Sequence, residues 1–403
     1  MRKFIILFYS GLFLFLAHSY SLQAQEGWKQ QDERLEHTFY VIGNIGNDLQ
    51  GEAQKVLKEI VTASKEDETA TLLVPGNFLP QYHPQNNIQQ EAQKEMLKKY
   101  LLNPLKEFNG KIVFTPGVNE WKKGGQEEID DLESFLQDNQ NNTEVWPDDG
   151  CPIEDEDITD EIVLVTVDTQ WYLEDWDEHP NMNSKCDIKT REQFFAEFKD
   201  AIKDAHGKTI LVSLSHPIMS NSNENFFSKI GGFSPQDFQN ERNSYLRGRL
   251  ETLASQFDNV IFISGNEANL QYLEDDGIPQ IISGNIGKPK KYSIRKEKHF
   301  ASTKKGYVRL KTFSNNKTIV DFFALDEGSP RLIFSKTIKN DEPNWDEISF
   351  KSKEEVGETV KASIYTRKKK QKNLVSINRS SAIFIVKFTV KKNRTGIIFG
   401  YFR

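Results

Sequence analysis

The chain has 403 residues, 37% hydrophobic and 28% charged, with a formal net charge of −7. That is enough apolar material for a sizeable buried core, which excludes a disordered chain, and the length suits one large domain with appendages. The last acid is Glu358 and twelve Lys or Arg follow it, Arg403 included, so an acidic body precedes a basic tail.

Met1–Ala24 begins with Arg2 and Lys3, continues through the apolar run Phe4–Ala17 and reaches small or polar residues at Ser21–Ala24. The apolar run is short for a membrane span, so residues 1–24 read as a secretory signal peptide, with a retained N-terminal anchor as the alternative. Export to the periplasm or cell envelope is the expectation. No Cys follows the apolar run, so a lipid-modified N-terminus is not indicated. No later segment approaches the roughly 20 apolar residues that a spanning helix needs.

Residues 25–36 form a charged linker, and a strand-like run, Thr38–Ile42, ends in Gly43-Asn44. Leu49, Ala53, Val56, Leu57, Ile60 and Val61 then recur at helical spacing. Thr71–Val74 reads as a strand ending at Gly76-Asn77, Gln89–Leu102 as a helix, and Ile112–Phe114 as a strand entering Gly117-Val118-Asn119-Glu120-Trp121. The acidic stretch Asp148–Glu161 lacks the ligand spacing of a calcium loop and reads as a solvated connection. Next come a strand, Ile162–Asp168, a helix over Thr190–Ala205, and a strand, Ile210–Leu214, before Ser215-His216-Pro217. A helix over Tyr245–Phe257, the strand starting at Val260, another at Ile281–Ser283 and a hairpin of Tyr307–Thr312 with Thr318–Leu325 complete the body. Strands alternating with helices argue for a layered α/β architecture.

Cys151 and Cys186 are the two cysteines. In an exported chain they are a disulfide candidate, closing a loop of about 36 residues worth on the order of 4 kcal/mol. Neither lies in a redox CxxC spacing, and no histidine is near them in sequence to make a metal site.

Val260–Tyr272, VIFISGNEANLQY, resembles the SGHEHNLQY segment of an exported bacterial branch of the calcineurin-like metallophosphoesterases. Their other motifs follow in order from Thr38 to Thr312. Gly43-Asn44 and Gly76-Asn77 stand at two Gly-Asp motifs, Gly117–Trp121 stands at Gly-Asn-His-Asp-Trp, and Ser215-His216-Pro217 stands at His-His-Pro. Asp168-Thr169-Gln170-Trp171, Cys151-Pro152 and Cys186-Asp187-Ile188 match scaffold wording of the family. The resemblance implies a four-layer α/β/β/α sandwich over residues 37–330, followed by a linker and basic tail, 331–403. It also implies a site for two divalent metal ions at the strand ends, with Asn119 at the catalytic histidine's place.

The departures from the family pattern fall on that site. Asn44, Asn77, Val118, Ser215, Asn266 and Ala268 occupy ligand positions; two of these carry no donor atom and none carries a charge. Two divalent ions about 3.5 Å apart repel by roughly 19 kcal/mol at an effective dielectric of 20, which anionic ligands must offset. Losing even a group behind a ligand typically costs about 10–100-fold in metal affinity. No cofactor is therefore expected. Of seven histidines only His216 sits at a motif.

The leading expectation is a catalytically silent binding or structural module of the cell envelope. Its expected partners are outer-membrane or other envelope proteins, with membrane contact through the basic tail; nucleic acid is not expected. A second reading keeps a phosphoesterase with residual activity, using His216 as acid, Asn44, Asn77 and Asn266 to orient phosphate, and Lys288 as the phosphate-binding cation. In longer relatives an outer-membrane barrel follows, reached through a segment similar to Lys361–Tyr365, so a third reading is a truncated fragment of such a protein. Alternation in Ile383–Val390 also suits a single strand.

Overall fold

The computed structural model describes residues 33–339, apart from 82–83, 85, 122–124, 176–184, 223–233, 285, 287–290, 295, 297–298 and 327–328, together with strand segments between 351 and 401. The signal-peptide segment, most of the linker and Lys288 lie outside the described residues. The chain divides into two units, residues 1–339 and 340–403.

The first half of the larger unit supplies β1 (Leu35–Val41), α1 (Glu52–Ser64), β2 (Ala70–Pro75), α2 (Asn87–Leu97), β3 (Lys111–Thr115), α3 (Val118–Trp121), α4 (Gln126–Asn139) and β4 (Thr143–Val145). The second half supplies β5 (Ile153–Thr159), β6 (Ile162–Val167), α5 (Thr169–Leu173), α6 (Arg191–Asp204), β7 (Thr209–Leu214), α7 (Glu241–Ala254), β8 (Val260–Ser264), β9 (Leu270–Asp275) and β10 (Ile278–Ser283). Then come β11 (Phe300–Ser302), β12 (Gly306–Phe313), β13 (Lys317–Asp326) and β14 (Ser329–Lys339).

Two seven-stranded sheets result, in the orders β14-β13-β12-β1-β2-β3-β4 and β11-β9-β10-β8-β7-β6-β5. Within each, four strands run parallel, β1 to β4 in the first and β6, β7, β8 and β10 in the second. Antiparallel strands extend them outward: β12, β13 and β14 on the first, β5 on one side of the second and β9 with β11 on the other.

The layers follow from side-chain alternation along each strand. Phe39, Val41, Leu73 and Val113 of the first sheet share one apolar cluster with Leu164, Leu211, Ile261, Ile263 and Ile281 of the second. Their neighbours Tyr40, Ile42, Leu72, Val74, Val163, Val165, Ile210 and Val212 point the other way, into a cluster that includes the buried faces of α1, α6 and α7. In α1 that face is Ala53, Val56, Leu57, Ile60 and Val61, a stripe at helical spacing. Helices, sheet, sheet and helices make the four layers that the resemblance implies.

Local details differ from the sequence reading. The acidic stretch Asp148–Glu161 is not simply a connection, since Ile153–Thr159 is β5, paired antiparallel with β6 at the sheet edge. Glu156 and Asp157 are exposed on it, and charge of one sign on an edge discourages further strand pairing. Helix α4 buries only Gln126, Ile129 and Leu136, too sparse an apolar stripe to be read beside its acids. Strand β14 extends the first sheet to Lys339, past residue 330.

In the smaller unit, β15 (Lys351–Val356), β16 (Thr359–Thr366) and β17 (Lys369–Asn378) form an antiparallel sheet. Ile383–Val390 is a strand, β18, paired antiparallel with β19 (Arg394–Tyr401).

Candidate functional site

The loops beyond the carboxyl ends of β1, β2, β3, β7 and β8 meet where the two sheets abut, the usual place for chemistry on parallel sheets. Close backbone approach brings them together. A Cβ on Gly265 would sit 2.2 Å from the Pro75 carbonyl oxygen and 2.8 Å from Gly43 Cα, so residues 43 and 265 need glycine for their loops to touch. Asn44 and Asn77 both take left-handed backbone conformations, at φ 58° and 55°, which asparagine tolerates better than most residues.

A cleft of about 560 Å³ opens there, lined by Asn44, Asn77, Val118, Asn119, His216, Asn266 and Ala268 among others. Seven of the residues singled out from sequence therefore converge. Ser215 is fully buried just behind, with its Oγ close against Gly76 and Gly117. Cys151 and Cys186 are bonded, with Cα atoms 5.0 Å apart.

The amides are tied to one another. The Asn77 side chain accepts the Asn119 backbone N–H through Oδ1 at 3.1 Å and donates through Nδ2 to Asn266 Oδ1. Asn44 Nδ2 donates to the Gly284 carbonyl at 3.3 Å, and Asn119 Nδ2 to the Leu79 carbonyl at 2.9 Å. His216 is held by Thr169, whose Oγ1 lies 2.8 Å from Nδ1 and accepts the His216 backbone N–H at 3.1 Å.

Two buried acids brace the loops rather than face the cleft. Glu120 accepts backbone N–H bonds from Asn77 at 2.9 Å, Leu79 at 2.8 Å and Gly117 at 2.8 Å, tying the β2 and β3 loops together. Burial pushes its carboxyl up to about 7, against the pull of those donors. Asp168 caps α5 by accepting the Trp171 N–H at 3.0 Å and also accepts Trp121 Nε1–H at 2.7 Å; burial pushes it up to about 7 as well. Glu267 lines the cleft directly.

Sequence reasoning missed the wall formed by Gln236, Asp237, Phe238 and Asn243. Arg247 holds it in place, donating from Nε to Asn243 Oδ1 at 2.9 Å and from Nη2 to the Phe238 carbonyl at 2.6 Å, with its guanidinium 3.7 Å from the Phe238 ring centre. The available signal was Asn240 before Glu241. Asn240 caps α7, its side chain accepting the Arg242 N–H, and an Asn-Glu start would have placed residues 234–240 as a loop near the strand ends.

The residues present do not fit a dinuclear metal centre. At the ligand positions stand neutral amides, the apolar Val118 and Ala268, and Ser215 turned toward glycine backbone. The amide oxygens of Asn77 and Asn266, which would have to face cations, each accept an N–H. Among the described residues no three of His, Cys, Asp and Glu gather as a metal-ligand group.

Two abutting parallel-centred sheets, helices outside them and a cleft at the strand ends define the α/β sandwich of the calcineurin-like phosphoesterases. No family model and no curated protein matches the chain. Among solved structures it is similar to GAP50, the anchor in the inner membrane complex of Plasmodium, with a TM-score of 0.55 and 16% identity over 77% of this chain and 90% of that one. It is also similar to a purple acid phosphatase from yellow lupin (Lupinus luteus) seeds, with a TM-score of 0.50 and 11% identity over 76% of this chain and 54% of that one. At such identities the likeness is one of fold alone.

Proposed function

We propose that this phosphoesterase-fold protein is catalytically silent and metal-free, and works as an exported binding or structural module in the cell envelope. The observation that carries the reading is the Asn119–Asn77–Asn266 chain of amide hydrogen bonds, which occupies the centre where a bridging carboxylate would have to face two cations. Amides satisfy one another without charge, so the cleft keeps its shape with no ion to hold it. The Plasmodium neighbour, an anchor by description, supports the idea that such a sandwich can serve attachment. Envelope or outer-membrane proteins are the proposed partners, and the basic tail a membrane contact. The test is hydrolysis of a generic phosphoester by purified protein with manganese or zinc. No turnover above buffer is expected; metal-dependent turnover abolished by Asn77→Ala would overturn the reading.

A second reading, a hydrolase with residual activity, is favoured by His216, whose ring lines the cleft with Nδ1 set by Thr169. It would serve as acid while Asn44, Asn77 and Asn266 orient phosphate. Neutral amides give a phosphate dianion little charge stabilisation, so this reading leans on Lys288. Phosphate binding lost in Lys288→Ala would favour it, and no phosphate binding would end it.

A further inference from the structure

We propose a second binding site, in the helical layer, for the terminal carboxylate of an amino acid or peptide whose last side chain is apolar. A cavity of about 490 Å³ lies where the end of α5 meets the start of α7, lined by Tyr172, Pro235, Asn240, Glu241, Arg242 and Tyr245. The loop whose Gln236–Phe238 stretch walls the cleft gives Pro235 and Asn240 to this cavity. Tyr172 is only 3% exposed. Its ring is fixed by Phe194 and Phe195, each with its centroid 5.3 Å away, and by the Arg191 guanidinium at 5.4 Å. What Tyr172 offers the cavity is its hydroxyl, which has no hydrogen-bond partner among the described residues. Buried tyrosine hydroxyls usually find a partner, so this one is a hydrogen-bonding position open to a ligand. Burial pushes the phenol's pKa up, which keeps it a donor at neutral pH.

Arg242 supplies the charge. Its Nη1 donates to the Leu173 and Glu174 carbonyls at 3.0 and 3.2 Å, which anchors the guanidinium. Its Nε and Nη2 have no protein partner among the described residues. Those two nitrogens share one edge of the planar fork, the edge that matches the two oxygens of a carboxylate. Arg191, donating to the Tyr172 and Glu174 carbonyls at 2.8 Å each, adds positive charge close by. Burial and then repulsion by Arg242 lower the Arg191 pKa, so an anion at Arg242 relieves a like-charge pair. Glu241, exposed among the lining residues, is an acceptor for the amino or amide N–H that an amino acid or chain end carries beside its carboxylate. A phosphate has no such group to offer it. Tyr245, 49% exposed and edge-on to Phe195 at 5.9 Å, makes with Pro235 an apolar wall for the side chain.

The test titrates the purified full chain calorimetrically with N-acetylphenylalanine, phenylalanine, N-acetylphenylalaninamide and inorganic phosphate. At least one of the two acids is expected to bind, and the amide, which lacks the carboxylate, about tenfold or more weakly. Tighter binding of phenylalanine marks a free amino acid as the source, and tighter binding of the N-acetyl form marks a chain end. Tyr172→Phe keeps the ring and removes the hydroxyl, and should weaken the acid about tenfold with an unchanged melting temperature. Tyr245→Ala, at a half-exposed position, should weaken acid and amide alike, and Arg242→Gln should erase the preference for the acid. The proposal falls if neither acid binds, if acid and amide bind equally, or if Tyr172→Phe and Tyr245→Ala both bind as the parent does. It falls also if phosphate binding, and not carboxylate binding, is what Tyr172→Phe removes.

Discussion

Glu120→Ala removes the acceptor that joins the β2 and β3 loops. Three buried N–H groups, those of Asn77, Leu79 and Gly117, lose their partner at once. A buried donor left unsatisfied costs about 1–3 kcal/mol. The cleft alongside lets some water in, so the low end applies to each and the sum is about 3 kcal/mol, rising toward about 5 with the cavity left behind. For a chain this size the melting temperature should fall by on the order of 5–10 °C. The cost also depends on pH. The folded carboxyl sits at about 7 against the ordinary 4.5, so its contribution is complete below the unfolded value and is lost as pH rises through the folded one. The variant should therefore be most impaired near pH 5, with the gap to the parent narrowing by up to about 3 kcal/mol by pH 8. Urea denaturation followed by fluorescence, with buried Trp121 beside the site, measures both. A loss below about 1 kcal/mol at pH 5, or one that grows with pH, would refute the bracing role.

Reducing the Cys151–Cys186 bond, 35 residues apart, or replacing both residues by serine, should cost about 4 kcal/mol in a denaturant melt; an unchanged midpoint would contradict a structural bond. His37, buried against Thr71 Oγ1 at 2.9 Å, is pushed by burial down to about 4 from 6.5, so its contribution is present above 6.5 and lost as pH falls through the folded value. Its ring protons should titrate near 4 by NMR, and a midpoint near 6.5 would contradict its burial. Gly265→Ala forces a Cβ against the Pro75 carbonyl and Gly43 Cα, both backbone, and should cost more than about 3 kcal/mol or prevent folding; a variant as stable as the parent would contradict the close approach of the loops.

The strand-end motifs were legible because each follows a short apolar run closed by a glycine or a polar residue, a pattern that suits a buried strand, as at Val260–Ile263 before Ser264-Gly265. Their meeting in one cleft was legible only through the resemblance, since nothing local in Asn77 or Asn266 announces that they will bond across two sheets. Glu120 and Asp168 were visible as acids near the motifs, but their work is to satisfy backbone and indole N–H groups, which depends on tertiary distances. The wall at Gln236–Phe238 was missed because α7 has a weak apolar stripe, and its start at Glu241 was placed four residues late. Strand β5 was hidden by its own acids, which suit an exposed edge as well as they suit a loop.

Metal binding is the most direct test of the account. A protein whose strand-end loops hold amides in place of anionic ligands should show no shift in melting temperature with manganese or zinc at millimolar concentration, and no metal after dialysis. A ligand at 100 times its dissociation constant would add about 2.7 kcal/mol. A saturable stabilisation of that size, lost in Asn77→Ala, would contradict the claim that the cleft stands without metal.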